Sequence, residues 1–160
     1  MAAIYSIVYQ PLNRQYDDPM GEYIRVPVES AELRANHGIA GDKKAGHNPV
    51  RQLNLISQEW LEVQRAKGYK TAPGQFGEQI IISGLAVETL EPGMRLQLGK
   101  EACIEVTKQR TGCNRFEAAQ GKSVEGLGAL GVMARVISSG TISVGDPVTV
   151  LEKSIETETI

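Results

Sequence analysis

Met94-Arg-Leu-Gln-Leu-Gly-Lys-Glu-Ala-Cys-Ile-Glu-Val-Thr107 is the stretch that decides the fold class of this chain. Apolar and polar residues alternate on both sides of Gly99-Lys100-Glu101, so Leu96 and Leu98 on one arm and Ile104 and Val106 on the other share a face. That is the period-two pattern of half-buried strands. The three residues between the arms read as a hairpin turn. Working outward, short apolar runs bounded by Gly, Pro, Asn or Asp recur at 4–9, 23–28, 31–33, 53–56, 79–82, 132–137 and 148–151. Many short strands with glycine corners predict a mainly β protein, a barrel or a sandwich. One helix is predicted over 58–67, with Ser57 as cap, Glu59 at the positive end and Gly68 at the close. A second, short helix is expected after Asn114, with Asn114 and Glu117 at capping-box spacing and Gly121 as its stop.

The bulk numbers exclude several classes. A chain of 160 residues, 41% apolar and 22% charged, is one domain's worth of core. We read residues 1–152 as that domain and 153–160 as a polar tail. No run reaches the ~18 apolar residues of a membrane span, and the first residues lack a secretory pattern, so the expected location is cytoplasmic. A net charge of -2 argues against nucleic acid as a partner. Two cysteines, Cys103 and Cys113, are too few for a disulfide scaffold or a structural zinc site.

Chemistry is most legible in Lys108-Gln-Arg-Thr-Gly-Cys-Asn-Arg-Phe-Glu117. Between Lys108 and Lys122 the cations are Lys108, Arg110, Arg115 and Lys122 against the single acid Glu117, a local excess of positive charge. Such surroundings favour the thiolate, making Cys113 a candidate nucleophile or soft-metal ligand; the alternative is an ordinary loop cysteine beside surface cations. Gly112 would let the backbone approach a ligand. Cys103, in a strand beside Glu101 and Glu105, reads as a packing residue. The loop from His37 to Arg51, with Lys43, Lys44 and several glycines, is basic enough to wrap a phosphate. His37, Asp42 and His47 are either a three-ligand metal set or, as we prefer, solvated loop residues. Glu78 reads as a strand-entry charge, and the stretch from Gly140 to Val148 as a turn between strands.

Four pieces in order resemble the MOSC family, related to the C-terminal domain of molybdenum-cofactor sulfurase. They are Gly38-Ile-Ala-Gly-Asp-Lys-Lys-Ala-Gly-His47 with Arg51-Gln-Leu-Asn-Leu-Ile56; Phe76-Gly-Glu-Gln79; Leu96-x-Leu-Gly99 and Ile104-Glu-Val-Thr107 leading to Arg110-Thr-Gly-Cys113; and Gly140-x-Ile-x-x-Gly-Asp-Pro-Val148. The resemblance covers nearly the whole chain. It implies a closed or partly open β-barrel with a few short helices, of the pyruvate-kinase-barrel kind. It also implies that Cys113 carries a persulfide or ligates the molybdenum of a bound molybdopterin. Arg110 and Arg115 would then hold the pterin phosphate by bidentate hydrogen bonds. Arg51, Lys43 and Asp42 would line the pocket from the opposite side, with Asn114, Gly77 and Gln79 completing the cofactor-binding set. Two positions depart from the family pattern: Gln79 replaces the usual asparagine, and Lys43 the usual arginine, which reduces a bidentate contact to a single-point one.

Fused family members carry a pyridoxal-phosphate desulfurase domain, for which this chain has neither the length nor a recognisable Schiff-base lysine. Sulfur would therefore come from a partner, a cysteine desulfurase or another donor. In the other reading the partner is a molybdoenzyme or redox protein, and the loaded site reduces N-hydroxylated compounds. A non-catalytic module binding a pterin or another anion is the third reading. Nothing in the sequence requires an oligomer.

Overall fold

A computed structural model describes residues 1–12 and 25–151; the 153–160 tail and the first part of the 23–28 run lie outside the described residues. In chain order the elements are β1 (Ala3–Tyr9), β2 (Val26–Pro27), β3 (Ser30–Arg34), β4 (Gly38–Ile39), β5 (Leu53–Ser57), α1 (Gln58–Ala66), β6 (Ile80–Ser83), β7 (Arg95–Leu98), β8 (Ala102–Gln109), α2 (Asn114–Gln120), β9 (Val132–Ser138), β10 (Gly140–Ser143) and β11 (Val148–Leu151), with a 3-10 turn at Val87–Thr89. The opening hairpin is as read. β7 and β8 pair antiparallel with Leu98 opposite Ala102, and Leu96, Leu98, Ile104 and Val106 are all buried.

Eight strands form one sheet in the order β11-β7-β8-β9-β5-β6-β1-β2, and β10-β3-β4 form a second. Among the described residues only β5 and β6 run parallel, and α1 supplies the crossover that such a pair needs. The large sheet curls until its ends meet: Ala3 bridges Pro147, Ile4 N donates to Asp146 O (2.9 Å), and Val148 N donates to Ala2 O (3.0 Å). The result is the mainly β barrel predicted. Its interior holds one apolar cluster, including Ile7, Leu55, Ile80, Ile104, Val132 and Val136.

A second core lies outside the barrel under α1 and α2. Phe76 is its hub, fully buried with ring centroids 4.9 Å from Phe116, 5.6 Å from Trp60 and 6.1 Å from Tyr69. Edge-on geometries of this kind add to the area term of burial. α1 begins where predicted, because Ser57 Oγ accepts from Trp60 N and Glu59 sits in the first turn. α2 corrects the expectation by one residue. Its N-cap is Cys113, without a side-chain cap hydrogen bond, and Glu117 spends its Oε2 on Val124 N (2.8 Å), so no capping box forms. Gly121 ends it as read.

One further expectation changes. The run from Gly140 is a strand, β10, before it becomes a turn, because it pairs with β3 (Ile142 opposite Ala31). Cys103 points away from the barrel core: β8 alternates buried and half-buried residues, and Cys103 falls on the outer, half-buried face opposite Gln97 and Ser138. Partial burial pushes its thiol up, with Glu105 acting the same way and Arg95 opposing.

Candidate functional site

A cleft of about 740 Å³ opens where the ends of β1, β5, β6, β8 and β9 converge. Its depth follows from local sequence. Phe76-Gly-Glu-Gln79 sends successive residues to different places: Phe76 into the second core, Gly77 and Gln79 to the cleft, and Glu78 into the protein at 1% exposure. Gly77 has φ of 78°, the left-handed backbone that a side chain would strain. Opposite, β8 takes an irregular step against β9, pairing Val106 with Ala134 but Lys108 with Met133, so that Thr107 is the extra residue. Such bulges re-aim the side chains beyond them. Here Lys108, Gln109 and Met133 all reach the cleft.

The floor is a network of amides. Asn54 N donates to Gln79 Oε1 (2.7 Å), Gln79 N donates back to Asn54 O (3.0 Å), and Gln79 Nε2 reaches Asp42 Oδ2 (3.4 Å). Asp42 Oδ1 accepts from Gln10 N (3.0 Å) and Lys44 N (3.3 Å). Gln79, the departure from the family pattern, therefore joins two elements with one side chain. Asp42 is 3% exposed and lies behind the cleft rather than in its lining.

The rim is cationic. Arg25, Lys43, Lys44, Arg51, Lys108, Arg110 and Arg115 line the cleft, and no Asp or Glu does so among the described residues. A local field of that sign selects an anion, although the whole chain carries -2. Of the four cations in the basic segment, Lys108, Arg110 and Arg115 face the cleft. Lys122 does not, its Nζ lying 5.1 Å from the centroid of Tyr69 in the second core. Arg110 is 8% exposed, and its Nη1 donates to Phe76 O (2.5 Å). Beside it, burial holds the Glu78 carboxyl above its ordinary range, although the N–H groups of Gly74 and Phe76 and the charge of Arg110 all pull it down.

Cys113 completes the lining and is exposed. Gly112 beside it serves packing: a Cβ there would overlap Val124. Asn114 opens α2, and the ligand role implied for its side chain lies outside what is described. The histidines gather no metal-ligand set among the described residues. His47 Nε2 pairs with Lys43 O (2.9 Å), Gly46 N donates to His37 O, and no cluster of three His, Cys, Asp or Glu side chains exists among the described residues. Thus Cys113, Arg110, Arg115, Arg51, Lys43, Gly77 and Gln79 line one cleft, with Asp42 behind them. Gln10, Arg25 and Asn54 join without having been singled out. Asn54 is a lone polar residue in a strand-like run, Gln10 follows another, and Arg25 is a single cation with no motif around it.

Among the described residues no helix is long and apolar enough to cross a membrane. The fold recurs in solved structures of low identity. YiiM from Escherichia coli matches with a TM-score of 0.65 at 19% identity, over 95% of this chain and 71% of that one. YiiM from Geobacillus stearothermophilus matches at 0.65 and 17%, over 98% and 78%. The YuaD protein of Bacillus subtilis matches at 0.66 and 17%, over 94% and 96%. No curated protein matches the chain. The model of the MOSC domain, however, matches residues 42–149, well over half of the sequence. The chain therefore belongs to the MOSC family, a family of molybdenum-cofactor-associated domains.

Proposed function

We propose that the cleft binds the molybdenum cofactor, with its phosphate at the cationic rim and Cys113 as the soft ligand to the metal. The observation that carries this reading is the convergence of an exposed thiol with seven Lys and Arg side chains in one cleft. The donor set suits each part of such a group. Thiolate suits molybdenum, guanidinium and ammonium suit phosphate, and neutral amides suit the edge of a pterin. The volume falls within the usual range of cofactor sites, about 300–1,000 Å³. When bound, the cofactor supplies a redox-active metal.

The chain's own residues divide the work. Arg51, Lys43 and Arg115 meet the phosphate. Arg110, already engaged with Phe76 O, contributes charge and holds the wall. Gln79 and Asp42 fix the floor on which the ring rests.

Protein purified from a host that makes the cofactor is expected to carry molybdenum and pterin in near-equal amounts. Cys113→Ser is expected to lose the metal while melting no lower than the parent. Serine is a favoured N-cap, worth about 0.5–1 kcal/mol where cysteine now makes no cap bond. Metal-free parent protein would overturn the reading.

The exposure of Cys113 favours a second reading, that of a sulfur carrier. A cysteine desulfurase would then hand a sulfane sulfur to this thiol, and the protein would gain the mass of one sulfur atom on Cys113. An unmodified thiol after incubation with the desulfurase and cysteine argues against it.

A further inference from the structure

Asn54 stands on β5 at the floor of the cleft and is 9% exposed. Its backbone is locked to Gln79 in both directions. Its side-chain amide is oriented too: Nδ2 faces Gly77 O at 3.5 Å, and turning the amide over would bring two oxygens together. That leaves Oδ1 buried without a hydrogen-bond partner. Buried acceptors in that condition are rare, and the cost of keeping one calls for a compensating role.

The surroundings restrict what could satisfy it. A phosphate or carboxylate oxygen would meet the Oδ1 lone pairs, so the anionic end of a ligand is turned away from the floor. An ammonium donor would enter a site lined by seven cations, and the field excludes it. A neutral donor, N–H or O–H, remains, and on a neutral heterocycle such as a pterin the donors are N–H groups. Resting on the cofactor-binding reading above, we propose that Asn54 Oδ1 accepts a hydrogen bond from an N–H of the ligand's neutral heterocycle, making Asn54 the residue that selects a pterin ring edge over an anion at the floor. Rim and floor thus read opposite ends of one molecule: charge outside, hydrogen-bond donors inside.

The test uses two neutral pteridines: pterin, which carries N–H donors, and 1,3-dimethyllumazine, which has the same bicyclic frame and none. Calorimetry on the whole chain is expected to show the parent binding pterin about tenfold more tightly, the factor for one buried hydrogen bond. Asn54→Ala should erase that preference and leave the binding of inorganic phosphate unchanged. The discrimination by the parent needs no variant, so a poorly folding Asn54→Ala does not remove the test. Equal binding of the two pteridines by the parent, or an intact preference in Asn54→Ala, overturns the role of Asn54 while the cofactor reading stands. Parent protein that binds neither pteridine overturns both.

Discussion

Glu78 and Arg110 hold the two backbone polar groups of one residue, Phe76. Glu78 Oε1 accepts from Phe76 N (3.2 Å), Arg110 Nη1 donates to Phe76 O (2.5 Å), and the two opposite charges face each other from buried positions. Phe76 packs against three aromatic rings in the second core, so this arrangement ties that core to the strand end leading to Cys113.

The burial of Glu78 has a consequence for stability against pH. Burial is the largest influence on its carboxyl and raises it, so the folded protein binds this proton more tightly than the unfolded chain. The contribution is fully present below the ordinary carboxylate range and is lost as pH climbs through the raised folded value. Glu78→Gln removes the titration. Melting temperatures measured between about pH 4 and 8 should show the parent losing ground to Glu78→Gln as pH rises. A gap that stays constant across that range contradicts the raised carboxyl.

Gln79→Asn would restore the residue usual in the family and still harm this protein. A side chain one methylene shorter does not span Asn54 N and Asp42 Oδ2, and one buried partner is left unsatisfied. The cost is about 1–3 kcal/mol, and each kcal/mol lowers the melting temperature by roughly 2–4 °C in a chain of this size. Calorimetry decides: an unchanged melting temperature would mean the bridge by Gln79 contributes nothing.

Gly112 should tolerate no side chain while Val124 is in place. Gly112→Ala forces its Cβ into Val124 and is expected to destabilise by about 1–3 kcal/mol. In a Val124→Gly background, which removes both the Cγ1 and the Cβ that the new side chain would meet, the same substitution should cost little, which makes the pair strongly coupled in a double-mutant cycle. The same cost in both backgrounds would refute the steric account.

What the sequence made legible was local. The alternation around Gly99, the cap at Ser57 and the glycine stops depend on residues a few positions apart, and they stand as read. The MOSC-like pieces gathered most of the cleft for a similar reason, since each is a contiguous loop or strand end. Interactions decided by the fold were not readable. Asn54 looked like one polar residue in an apolar strand until β5 aligned it with Gln79, twenty-five positions on. Glu117 sat at capping spacing, but the loop that brings Val124 N within 2.8 Å claimed its carboxylate. Lys122 counted toward a basic patch and instead covers Tyr69. Gly140 to Ser143 has turn composition and becomes a strand because β3 offers it an edge.

The join between Ala3 and Pro147 makes the barrel a strip fastened along one short seam. The central strands of the large sheet are joined by longer ladders, six aligned pairs between β8 and β9, whereas the seam has one bridge and a few backbone hydrogen bonds. Opening there frees the β1 and β11 edges without disturbing β5, β8 and β9, which bring Asn54, Lys108, Gln109 and Met133 to the cleft. Amides at the seam should therefore exchange with solvent sooner than those of β5 and β9, a difference that hydrogen-exchange mass spectrometry resolves and that equal protection would deny. The protein can breathe at its margin while the binding surface keeps its shape.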